Sequence, residues 1–240
     1  MLIIPAIDLK DGRCVRLRQG RKSDVKIYDA DPVEMAKQFE SQGALMLHVV
    51  DLDGAFAGGE SANRSVVRRI IETVNVAVEF GGGLRTIADV QQMIELGVTR
   101  LVIGTLAAES AEILDELIDR FGSRVCAGID ARDGKVMTRG WETATELAAT
   151  DLAQSLAARG IKRIIYTDIA RDGMLTGPNI EQTVAIARAV GVNVTASGGI
   201  SCLEDIQRLR DATEPLIDSV IIGKALYEAR FSLAEALEVC

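Results

Sequence analysis

Short apolar runs alternate along the chain with longer stretches whose apolar positions recur every three or four residues. The runs are LIIPAI, LMLHVV, VAVEF, RLVIG, VCAGI, RIIYT, NVTAS and SVIIG. They are rich in Val and Ile and apolar nearly throughout, the pattern of parallel strands covered on both faces. Between them, PVEMAKQFESQG, TIADVQQMIELG, SAEILDELIDRFG, ATDLAQSLAARG and IEQTVAIARAVG predict amphipathic helices. Gly43, Gly97, Gly122, Gly160 and Gly191 each close a helix just before a strand, at the left-handed position that a short helix-to-strand turn needs. Asp31-Pro32 and Ser110 predict N-caps.

Eight strand–helix units in unbroken alternation predict an α/β protein, a (β/α)8 TIM barrel. An open doubly wound sheet would usually have fewer units and a GxGxxG turn after its first strand. Here the first strand is followed by DLKDGRCVRLRQGRKSDVKIY, long and polar. No low-complexity linker divides the chain, so residues 1–240 read as one domain.

The chain repeats itself. PAIDLKDG and AGIDARDG place Asp8 and Asp130 at matching points. FGGGLRT matches ASGGISC, LVIGTLAAE matches VIIGKALYE, and VVDLDGA matches YTDIARDG more loosely. Each pair is separated by about half the chain and falls at the same strand ends. Two similar half-barrels of four units each are expected. Strands one and five then face each other across the barrel mouth, and the catalytic groups of such barrels sit at the C-terminal strand ends.

Composition narrows the chemistry. The 240 residues are 48% hydrophobic and 26% charged, with a formal net charge of -8. No Lys/Arg cluster suits a nucleic-acid face, and no apolar run reaches a membrane span. The N-terminal MLIIPAIDLK has no basic leader region and reads as the first strand. Cys14, Cys126, Cys202 and Cys240 form no CxxC pair, which suggests reduced thiols and a cytoplasmic location. His48 is the only histidine, so neither a metal cluster nor a Ser–His–Asp or Cys–His arrangement is expected. Without metal, redox cofactor or nucleophile, proton transfer remains.

Gly81–Gly83 with Gly104 form one Gly-rich rim of the mouth, and Gly198–Gly199 with Gly223 form the opposite one. A single Gly pair reads as a tight turn. Two rims repeated across a barrel favour phosphate, held by backbone N–H groups at helix starts, with Thr105 and Lys224 following their glycines. The implied ligand carries a phosphate at each end. Asp8 and Asp130 face each other above its middle as candidate base and acid, although a lone strand-end Asp is as often a cap. Asp172, in RDGML, is close enough to be the acid instead, or serves only its Asp-Gly turn. Thr167 ends strand six. His48 alternates onto the barrel axis, although a lone strand His is more often a core residue. Trp141, in TRGWET, suits stacking on a flat heterocycle better than core packing. Arg16 and Arg139 lie in loops above the mouth, to contact ligand oxygens or simply solvent.

The motifs PAIDLKDGRCVRLRQG, HVVDLDGAF, FGGGLR, GIDARDG, GWET, TDIARDGML, GPN and ASGGI run end to end and resemble those of the phosphoribosylformimino-5-aminoimidazole carboxamide ribotide isomerases of histidine biosynthesis. The related cyclase subunits share the half-barrel repeat and both aspartates, but usually carry Cys where this chain has Ala6. The resemblance implies an Amadori rearrangement of a bisphosphorylated ribonucleotide without cofactor, and a monomer is expected. It maps Asp8 to the general base, Asp130 or Asp172 to the acid with Asp130 first, and Thr167 to a supporting hydroxyl. Gly82, Arg85, Gly177 and Gly198 join the expected ligand-binding set. One branch of the family also isomerises phosphoribosylanthranilate and shares Arg16, Arg139 and Trp141, which monofunctional members carry too. The rivals are the cyclase, which needs ammonia from a partner glutaminase, and a sugar-phosphate-binding barrel without turnover.

Overall fold

The computed structural model describes residues 1–17, 19, 24–28, 30–57, 61–212 and 214–240. Eight parallel strands form its centre: β1 (Leu2–Lys10), β2 (Met46–Asp51), β3 (Ala77–Gly81), β4 (Arg100–Ile103), β5 (Val125–Arg132), β6 (Arg163–Asp168), β7 (Asn193–Ser197) and β8 (Ile217–Ile222). Each pairs with the next, and β8 returns to β1, which closes the ring. The expected (β/α)8 barrel is borne out.

A helix follows each strand, running through Pro32–Ser41, Asn63–Thr73, Ile87–Leu96, Ala111–Phe121, Ala149–Ala158, Ile180–Val190, Leu203–Arg210 and Leu233–Glu238. Asp31 caps the first, accepting from the Val33 N–H at 2.7 Å. Ser110 holds the N-cap position of its helix, but its hydroxyl makes no cap hydrogen bond. Gly97 and Gly191 end their helices in the left-handed conformation, as their placement predicts.

Two layers of core follow from strand alternation. Outward residues such as Ile3, Ile7, Leu47, Val49, Phe80 and Leu101 pack under the helices. Inward residues Ile4, Ala6, Met46, Ile165 and Ile221 fill the barrel axis. That axis also holds charge. Arg100 pairs with buried Glu79 at 2.9 Å, and Arg163 pairs with Asp218. Unpaired, each of these charges would be costly inside the ring.

The long segments after β1 and β5 are hairpins. Arg13–Leu17 pairs antiparallel with β1 and with Val25–Ile27, while Lys135–Thr138 pairs with β5 and with Thr143–Ala148. Their turns are near copies. Asp11 and Gly12 have φ 51° and 75°, and Asp133 and Gly134 have φ 51° and 75°. Asp-Gly with both residues at positive φ is the two-residue turn that suits strand twist. The repeated phrase therefore encodes a strand, its terminal Asp and the turn that folds a hairpin over the mouth.

Candidate active site

The C-terminal strand ends open into a cavity of about 770 Å³. Asp8, Asp130, Asp172, Thr167, Arg16 and His48 line it, as do both Gly rims, Arg85, Thr105, Arg139, Trp141 and Lys224. Gly177 does not. It sits behind the second rim, where its N–H donates to the Gly199 carbonyl.

Asp8 and Asp130 occupy opposed strands. Arg16, from the first hairpin, brings Nη1 to 2.6 Å of Asp8 Oδ2. The same guanidinium donates to the Ala6 carbonyl and lies over the Tyr227 ring, 4.7 Å from its centroid. Arg16 is thus a buried partner of the proposed base, not a surface charge in a loop. Asp130 is register neighbour to Thr167 on β6. Burial pushes the Asp130 carboxyl up, and hydrogen bonds from the Trp141 and Thr167 side chains pull back only in part. Asp172 is pushed up to about 7, by burial first and then by the charge of Asp8, with Asp130 adding to it; Arg16 and Lys224 oppose the rise. Two carboxyl groups in unlike surroundings are what an acid–base pair requires.

The rims divide into two kinds of glycine. A Cβ on Gly82 would lie 2.1 Å from the Asp51 carbonyl oxygen, and one on Gly199 would lie 2.4 Å from that of Gly177. Backbone packing alone demands these residues. Gly104 is different: nothing lies within 4 Å of its Cβ position, and its φ is -96°. Packing therefore does not demand glycine there, and the open space leaves room for a ligand. Gly223 matches it in backbone, with φ -109°, but a Cβ there would meet Arg16.

Three of the side chains expected to bind ligand already have partners within the protein. The Arg139 guanidinium pairs with Glu109 at 3.1 Å and is largely exposed. Thr105 Oγ1 accepts the Arg139 N–H at 2.9 Å, and Lys224 Nζ donates to the Gly173 carbonyl at 2.7 Å. Trp141 turns into the mouth, where its indole favours the charged form of Asp130. Arg139, Gly140 and Trp141 have successive positive φ values of 55°, 65° and 70°.

Sequence reasoning missed the braces beneath these groups. Asp51 accepts from Asn63 Nδ2 at 2.7 Å, and Asp168 accepts from Asn179 Nδ2 at 2.6 Å. They repeat across the barrel and tie strands β2 and β6 to their following helices. Glu79 was also missed. It lies in an otherwise apolar strand, and its Oε1 is 2.7 Å from His48 Nδ1.

The sequence profile of a histidine biosynthesis protein family matches residues 2–232. The chain belongs to that family. Curated relatives agree across its length. A protein of Desulfitobacterium hafniense strain Y51 is 48% identical over 241 residues, covering 100% of this chain and 97% of its own. One of Syntrophotalea carbinolica is 48% identical over 237 residues, covering 99% and 97%. One of Thermodesulfovibrio yellowstonii is 47% identical over 239 residues, covering 100% and 97%. Each is named 1-(5-phosphoribosyl)-5-((5-phosphoribosylamino)methylideneamino) imidazole-4-carboxamide isomerase. The motif resemblance to this family's isomerases is borne out. Among the described residues, no helix is long and apolar enough to cross a membrane.

Proposed function

We propose that the chain is an aldose–ketose isomerase that carries out an Amadori rearrangement on the bisphosphorylated aminoaldose of the histidine pathway. The carrying observation is the set of opposed carboxyls: Asp8 paired with Arg16 on one side, Asp172 and Asp130 raised by burial on the other. In this reading an acid protonates the ring oxygen, the C1′–O bond breaks, and a C1′ iminium forms. Asp8 then takes the C2′ proton to give an enolamine, and reprotonation at C1′ with loss of the O2′ proton gives the ketose. No net electron donor or acceptor is needed.

Asp130 and Asp172 are both raised by burial, Asp172 to about 7, so each is a candidate for the acid, with Asp130 first as the resemblance implies. The rims supply the two phosphate sites, with Gly104 and Gly223 at helix starts and Arg85 and Lys224 beside them. In this reading the enzyme is a cytoplasmic, single-domain monomer without cofactor, nucleic acid or membrane, and the four free cysteines suit a reducing compartment.

The test is purified protein with the aminoaldose alone. Conversion to the aminoketose without ammonia or a partner supports the isomerase. Turnover only of the ketose, and only with ammonia, would identify a cyclase; binding without turnover would identify a non-catalytic barrel.

A further inference from the structure

We propose that Glu79 is a positioning residue that fixes the His48 ring so that Nε2 presents a lone pair to the C2′ hydroxyl of the substrate. This rests on the isomerase reading for its substrate, but not for its geometry.

His48 forms part of the cavity floor. Its strand neighbour in register is Ala6, while Asp8 is level with Val50, so the ring lies one layer beneath the base. Its Nδ1 is 2.7 Å from Glu79 Oε1, and Arg100 Nη1 is 2.9 Å from Glu79 Oε2. Glu79 has no exposure at all. Burial alone would raise its carboxyl, but the His48 hydrogen bond and the charges around it, Arg100 and Arg163 among them, hold it below the usual range. A carboxylate can only accept, so the proton of this bond belongs to Nδ1. The partner of one ring nitrogen decides what the other offers.

With Nδ1–H held by Glu79, the neutral ring turns Nε2 toward the cavity as an acceptor.

The hydroxyl that suits it is the one on the carbon losing its proton to Asp8. That oxygen ends as the ketose carbonyl, so its hydrogen must leave. A lone pair directly beneath it aligns that hydrogen for departure. The opposite tautomer would still bind the ligand, because a hydroxyl also accepts, but it would turn the hydrogen away. The loss then falls on kcat more than on affinity.

One histidine makes the test direct, since nitrogen-15 NMR of histidine-labelled protein reports a single ring. Near neutral pH the wild type should show Nδ1 protonated and Nε2 bare. In Glu79→Gln the amide can donate to Nδ1, and the ring should switch to Nε2–H. Its kcat should fall about 10–100-fold with product affinity and melting temperature little changed. Should the lone Arg100 charge unfold that variant, Glu79→Gln/Arg100→Gln removes both charges and should show the same switch and loss. An Nε2–H or doubly protonated ring in the wild type overturns the proposal. So does a switched ring with unchanged kcat. A wild type that shows the expected ring but converts no aminoaldose leaves the geometry standing and removes the functional reading instead.

Discussion

Arg16 Nη1 stands 2.6 Å from Asp8 Oδ2, with most of both side chains out of solvent. The proposed base therefore comes with a buried counter-charge, and removing one exposes the other. Asp8→Asn should reduce turnover at least ~10²–10⁴-fold, the usual contribution of a general base. Stability should also respond. A buried charge stripped of its partner costs about 3–5 kcal/mol, but Asp172 is also within the influence of Arg16 and is raised in part by Asp8. In the variant Asp172 should ionise more readily and take up the role of partner. Asp8→Asn should thus melt close to wild type at alkaline pH and progressively lower as Asp172 becomes protonated. Melting curves across pH check this, and a deficit independent of pH would show that Asp172 does not compensate.

Asp172 also sets a pH dependence in the wild type. Its carboxyl is pushed up from 3.8 to about 7 in the fold. Between those values the folded chain holds a proton that the unfolded chain has lost. Its contribution is full below the unfolded value and disappears as pH rises through about 7. Denaturant midpoints should show wild type losing stability relative to Asp172→Asn over that window, with no further loss above it. Turnover should fall along the same limb if Asp172 is the acid. Asp130 raises Asp172, so with Asp172 as the acid Asp130→Asn should keep measurable activity with the limb moved to lower pH. Complete loss in Asp130→Asn would assign the acid role to Asp130.

Trp141 gives an optical report on the mouth. Its indole lies at the mouth and acts on the Asp130 carboxyl, and it is the only Trp. Product binding should change its emission, and Trp141→Phe should raise the Asp130 carboxyl further by deleting a donor. The neighbouring Gly140 has φ 65°, and a Cβ there would lie 2.7 Å from Phe56 Cδ1. Gly140→Ala should cost about 1 kcal/mol or more and displace Trp141, read as altered emission without ligand. Unchanged emission in both experiments would make Trp141 a fixed structural residue.

The ring, the repeat and the opposed aspartates were legible because each is written locally. Apolar runs give strands, Gly marks helix ends, and a repeated phrase names matching strand ends. The two hairpins carry the strongest short signal for such a turn in Asp11-Gly12 and Asp133-Gly134, but the polar residues around it hide the strands that the turn joins. Glu79 was harder. Its strand reads as core, and only the rule that a buried charge needs a partner points to His48 and Arg100, far off in sequence. The contacts of Arg139, Thr105 and Lys224 depend on how loops from different strands meet, which no single segment encodes.

The two-ended clamp is best tested at Gly104. Substitution at Gly82, Gly83 or Gly199 confounds binding with folding, since positive φ and backbone contacts closer than 3 Å demand glycine there. Gly104 has open space around its Cβ position, so an added side chain meets no atom there. Gly104→Asp should therefore fold, with any backbone cost shared by Gly104→Ala, while placing a carboxylate where a phosphate is proposed to sit. Hydrogen bonds to a charged group contribute about 1.5–3 kcal/mol each, so loss of two or three should weaken the bisphosphate product more than ~10²-fold. Gly104→Ala, which adds bulk but no charge, should weaken it less. Calorimetry should also show a half-ligand with only the phosphate of the second rim binding wild type and Gly104→Asp alike, because that rim is untouched. Equal loss for both half-ligands would mean that the variant disturbs the whole mouth. Equal affinity of wild type for the whole ligand and for one half would show that a single rim binds phosphate and that its counterpart is retained only as a turn.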